Sequence, residues 1–184
     1  MGEVTDYASY FPEEIQKFAK EAVFKDGRWM AVIVKAIYEK YGREAIDVLN
    51  EAFHAFGKAE GERYKKQAGY EGREEEIDVV VALSEIYPNV HMHAGAAGLK
   101  LERVEFGPDE SISLCHYCSL HEGWKDIWDK SYLMCEFLSY HHDRGFMEGL
   151  NPKLEWTEHA EKDGAEGLAR GGGKPCRMRL VRHE

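Results

Sequence analysis

The chain has 184 residues, 43% hydrophobic and 12% aromatic, with a net charge of −10. That is enough chain for one domain with its own core, helical over about 12–87 and sheet- and site-bearing over about 88–182. The charge speaks against a nucleic-acid or anionic-membrane partner, since either needs a basic footprint.

Pro12-Glu13-Glu14 opens a helix whose Ile15, Phe18, Ala19 and Ala22 recur at helical spacing. After a break at Lys25-Asp26-Gly27, the pattern predicts a second, more apolar helix from Trp29 to Tyr41, stopped by Gly42. A third runs from about Glu44 to Gln67 and presents Ile46, Leu49, Phe53, Phe56 and Tyr64. Its small residues Ala52, Gly57 and Gly61 leave room for a neighbouring element. A fourth spans about Glu74 to Tyr87 and is closed by Pro88.

The period then switches. A short strand is expected around Val90 to His93. Leu99, Leu101, Val104 and Phe106, then Ile112 and Leu114, alternate as two strands about a Gly107-Pro108-Asp109 turn. Helices resume near His121 to Trp128 and Lys130 to Met147. Strands close the chain at Leu154 to Glu158 and, after Gly171-Gly172-Gly173, at Cys176, Met178 and Leu180, with Arg177, Arg179 and Arg182 on the exposed face. The order predicts an α+β fold: N-terminal helices packed on a mostly antiparallel sheet, with further helices inserted before the last strands.

No apolar run approaches the roughly 20 residues that span a bilayer, and the acidic N-terminus does not resemble a signal peptide. The expected location is the cytoplasm, where cysteines stay reduced. All four cysteines, and six of the nine histidines, lie from Cys115 onward. Cys115, Cys118 and His121 have the spacing of ligands to one metal, with Zn²⁺ the default guest; the alternative is that Cys115 packs at a strand end while His121 is solvated. Cys135 sits mid-helix, where a cysteine is often a core residue. His142, seven residues on, returns to within roughly 20° of the same helix face, with Asp143 beside it to orient a base or hold a substrate amine. A nucleophilic thiol there needs a cationic or hydrogen-bonding partner. His91 and His93 share a strand face and could offer two metal ligands. Cys176 leads an apolar face and reads as core.

The C-terminal half resembles the L-2-amino-thiazoline-4-carboxylic acid hydrolase family over roughly residues 100–182. The likeness rests on Cys115 before a Trp124-bearing helix, then Cys135, Asp143, Phe146, Gly149, Asn151, Pro152 and Leu154, and finally Leu168, Gly172 and Cys176. It departs at Gly173, where the family is usually acidic, and the histidines at 116, 121, 141 and 142 lie outside its pattern. Residues 44–67 and the closing turn are also similar to 4-vinyl-reductase-type ligand-binding domains. The first resemblance implies a hydrolase that opens a cyclic amidine at a non-peptide carbon–nitrogen bond. The expected catalytic set is Cys135, His142, Asp143 and Cys115, with Trp124, Phe146 and Asn151 binding substrate. A metal-activated water held by Cys115, Cys118 and His121 is the alternative mechanism. A small-molecule or metal-binding sensor or carrier is the alternative function. The expected partners are a small-molecule substrate and, from the apolar helix faces, a second copy of the chain.

Overall fold

Gly42 divides the N-terminal half: its φ of 75° is one that residues with a Cβ rarely adopt, and its N–H closes the preceding helix on the Tyr38 carbonyl. The computed structural model describes residues 4–6, 12–87, 98–135, 140–159 and 174–184. Helix α1 (Glu13–Tyr41) and helix α2 (Arg43–Gln67) meet at that glycine. The expected break at Gly27 does not occur, and the two helices predicted on either side of it are one. Gly27 is instead a point of close approach, where a Cβ would lie 2.5 Å from the Leu120 carbonyl oxygen.

The predicted fourth helix starts later than Glu74. Glu74–Glu76 form a 3₁₀ turn, and the Asp78 carboxylate caps α3 (Val79–Val81) by accepting from Val81 N–H at 2.8 Å. That helix widens into a π turn over Ala82–Ile86. Among the described residues, α4 (Ser119–Ile127), α5 (Tyr132–Met134) and α6 (Tyr140–Leu150) follow.

Among the described residues, five strands form one fully antiparallel sheet: β1 (Val4–Asp6), β2 (Leu99–Phe106), β3 (Glu110–Cys118), β4 (Leu154–His159) and β5 (Cys176–Arg182), in the order β1-β2-β3-β5-β4. The fold is α+β, as the order of elements predicted. The hairpin turn is where the sequence put it, with Gly107 N–H donating to the Glu110 carbonyl at 2.9 Å. The edge strand β1 had no counterpart in the expected elements. Register shifts flank Leu101 and Val104, and Val104 and Phe106 end up exposed. The strand expected at Val90 to His93 lies outside the described residues.

Two apolar clusters form the core. The first joins Ala31 and Val34 of α1 and Ile46 of α2 to Trp124, Trp128, Leu133, Met134 and Cys135. The second joins Val79, Leu83 and Ile86 to Phe146, Met147 and Leu150 of α6 and to Leu154, Trp156 and Leu180 of the sheet. Each fully buried side chain of this size contributes about 1.5–3 kcal/mol. Arg177 and Arg179 pair with Glu158 and Glu110 on the other side of the sheet from Leu180. No helix among the described residues is long and apolar enough to cross a membrane.

Candidate active site

Helices α2 and α6 pack backbone to backbone, and glycines set the contact from both sides. A Cβ at Gly57 would lie 2.1 Å from the His142 carbonyl oxygen, and one at Gly61 would lie 2.2 Å from that of Phe146. In return, a Cβ at Gly145 would lie 2.1 Å from the His54 carbonyl oxygen, and one at Gly149 would lie 2.3 Å from that of Lys58. The room that Gly57 and Gly61 promise in the sequence is thus occupied by α6. Backbones this close fix whatever side chains flank them.

On one flank, His142 Nδ1 lies 3.1 Å from Asp143 Oδ1, and the Phe56 ring packs 5.6 Å from the imidazole. In the tautomer with its proton on Nδ1, His142 donates to the carboxylate and keeps Nε2 as the basic nitrogen. Burial pulls the imidazole towards its neutral form. The Asp143 carboxylate, with help from Glu60, outweighs this and holds His142 above its ordinary value.

On the α2–α6 contact, Glu148 also accepts from Lys58 Nζ at 2.6 Å and lies 3.1 Å from His54 Nε2. The Lys58 hydrogen bond holds the Glu148 carboxyl below the usual range despite some desolvation, and raises Lys58 in turn. A further acid–imidazole pair lies on the sheet, where His116 Nε2 is 2.8 Å from the buried Glu102 Oε2. Glu60, Glu102, Lys58 and Glu148 were missed in the sequence. Their partners are brought together by folding, and nothing in local spacing marks them.

The cysteines separate. Cys135 closes α5 within the first apolar cluster. The heptad relation expected between it and His142 crosses residues 136–139, outside the described residues. Cys115 is buried on β3, directly opposite Cys176 on β5. Burial pushes the Cys115 thiol well above its usual range, and neighbouring Cys118 and Cys176 add to this. Cys118 caps α4, its sulfur accepting from His121 N–H at 3.4 Å, and burial pushes its thiol up to about 11.

The metal set of Cys115, Cys118 and His121 does not assemble. No group of three His, Cys, Asp or Glu side chains among the described residues is arranged to hold a metal ion. The physical reason is local. Cys118 is occupied as a helix cap, Cys115 turns its sulfur to the Tyr117 carbonyl at 3.2 Å, and the buried His121 ring packs edge-on to Trp124.

The three expected substrate-binding residues are also distributed. Trp124 belongs to the first cluster and Phe146 to the second. Asn151 uses both ends of its amide internally, donating to the Ile77 carbonyl at 2.9 Å and accepting from Lys153 N–H at 3.0 Å. His91, His93, Leu168, Gly172 and Gly173 lie outside the described residues. The fold does bring Trp124 and Cys135 into one apolar cluster, and it brings His142, Asp143 and Phe56 together at the edge of the glycine contact.

A family model described as L-2-amino-thiazoline-4-carboxylic acid hydrolase matches residues 20–179. The chain belongs to that family. The resemblance seen over residues 100–182 therefore reaches much further, taking in most of α1 and all of α2. For this member of the L-2-amino-thiazoline-4-carboxylic acid hydrolase family, no curated protein matches. Among solved structures it is similar to a trafficking protein particle complex subunit 3 from Naegleria fowleri, covalently bound to palmitic acid. The two are 10% identical over 86% of this chain and 96% of that one, with a TM-score of 0.45.

Proposed function

We propose that the chain is a hydrolase of a small cyclic amidine of the thiazoline-carboxylate kind, with His142 as general acid/base and Asp143 holding its imidazole. The observation that carries this reading is the 3.1 Å contact between His142 Nδ1 and Asp143 Oδ1, in a chain of this family. As His142 Nε2 takes a proton from water, the resulting hydroxide adds to the amidine carbon. The imidazolium returns its proton to the ring nitrogen, and the ring carbon–nitrogen bond breaks as the added hydroxyl passes its own proton to that nitrogen and becomes the carbonyl, leaving an amine and a thiocarbamate.

Water is the nucleophile in this reading. Cys135 is given no part in it because it stands among apolar side chains, and neither is Cys115, which is buried on β3 opposite Cys176. The test is turnover of L-2-amino-thiazoline-4-carboxylate by the purified chain and its variants. His142→Gln should lose about 10²-fold or more in kcat/KM, whereas Cys135→Ser should keep most of it. Unchanged turnover in His142→Gln would dispose of the acid/base assignment, and an inactive but folded Cys135→Ser would restore the thiol as nucleophile.

A ligand-binding protein without turnover is the second reading, and it has its own support. Trp124 Nε1 and Asn50 Oδ1 are buried with no hydrogen-bond partner among the described residues, and a polar ligand reaching either would supply one. Saturable binding of the thiazoline without any product would favour it.

A further inference from the structure

Helix α1 is apolar on two opposite sides, and only one of them is covered. Val23, Gly27, Ala31 and Val34 face inward, with α4 laid against that side. The other side carries Phe18, Trp29 and Ile33, which are 73%, 63% and 56% exposed, flanked by the exposed Ile15 and Val32. A helix that is hydrophobic all round belongs in an interior. At about 200 Å² for each fully exposed side chain, this stripe leaves on the order of 600 Å² of apolar surface per chain, where a standard interface takes about 800 Å² from each partner. Monomers rarely leave a contiguous patch of that size uncovered.

The order of residues along the stripe says what covers it. Two rows at i, i+4 spacing run across it: Phe18, Ala22 and Asp26, and Lys25, Trp29 and Ile33. Such rows are the ridges that pack into the grooves of a crossing helix, at about −50° in the commonest class. A two-fold axis placed between Lys25 and Asp26 lays each row against the other row of a second copy. Phe18 then meets Ile33 and the large Trp29 meets the small Ala22. Lys25 meets Asp26 twice, once on either side of the axis. Both charged residues are exposed, and neither pairs with another side chain among the described residues. A pattern that is complementary to itself on reversal is what an isologous contact requires.

We infer that α1 is the interface of a homodimer in which two copies cross antiparallel about Lys25 and Asp26. This does not depend on the chemistry proposed for His142, which lies on α6.

The test is sedimentation equilibrium on the full chain across a concentration series, with circular dichroism to follow folding. The wild type should sediment at twice the chain mass. Trp29→Glu should stay folded and shift to the monomer, with association weakened by at least about tenfold. Lys25→Asp and Asp26→Lys should each weaken association, and the two together should restore it. A wild type that remains monomeric at high concentration overturns the inference, as does a Trp29→Glu variant that still dimerises. Failure of the double charge swap to recover association overturns the antiparallel register.

Discussion

Gly57 and His142 are held backbone to backbone, so close that a single methyl on the glycine would lie 2.1 Å from the His142 carbonyl oxygen. The obstacle is main chain, which cannot rotate away as a flexible side chain can. Gly57→Ala therefore has to push α6 outward and carry the imidazole with it. It should cost about 1–3 kcal/mol in urea denaturation and lower turnover beyond what the loss of folded protein explains. Ala55→Ser, on the exposed side of the same helix, should stay within about 0.5 kcal/mol.

Asp143→Asn should separate orientation from charge. The amide can still hold the ring, but the carboxylate that raises His142 is gone, and burial is left to pull the imidazole below its ordinary value. As a base, His142 works when neutral, so wild-type kcat/KM should rise as pH climbs through its raised folded value. In Asp143→Asn that rising limb should move to lower pH. A limb in the same place would mean that another group titrates there.

The same pair gives a stability signature of definite sign. A histidine raised in the folded state binds its proton more tightly folded than unfolded. Its contribution is fully present below the ordinary value of 6.5 and is lost as pH rises through the raised one. Denaturation of wild type and His142→Gln should show the largest difference below pH 6.5 and a shrinking one above it. A gap that widens with pH would contradict this.

Asn151→Ala should act on stability. It removes two internal hydrogen bonds and strands the buried Ile77 carbonyl and the Lys153 N–H. The expected loss is about 2–3 kcal/mol with KM unchanged. A raised KM at unchanged stability would return Asn151 to the substrate.

Cys118 should be slow to alkylate. With its thiol near 11, only about one part in a thousand is thiolate at pH 8. Peptide mapping after brief iodoacetamide treatment should show Cys118 and Cys115 unlabelled in the native chain and labelled in urea. Rapid native labelling would mean that these thiols are not buried as described.

What the sequence makes legible is what local pattern encodes. Ile46, Leu49 and Phe53 mark α2 by period, and Gly42 marks where it begins. The alternation of Cys176, Met178 and Leu180 gives the inner face of β5. Gly27 shows the limit: a glycine that ends a helix and one that admits a neighbour are the same letter, and only the Leu120 carbonyl distinguishes them. Phe18 and Phe56 sit at helical spacing, yet both are exposed, because periodicity marks an apolar side without saying whether anything covers it. In the site, His142 and Asp143 are neighbours in sequence, and their contact could be anticipated. The Lys58–Glu148 and Glu102–His116 contacts could not, since residues distant in the chain carry no mark of each other.

The position of β5 has a consequence for biosynthesis. It lies between β3 and β4, so it is an interior strand of the sheet although its residues, 176–182, are made after those of the other four described strands. Until they leave the ribosome, β3 and β4 each present a row of backbone donors and acceptors with no mate. A nascent chain halted before Cys176 thus carries two open templates for the β5 of another copy, and polysome crowding would expose it to exchange of that strand between neighbours.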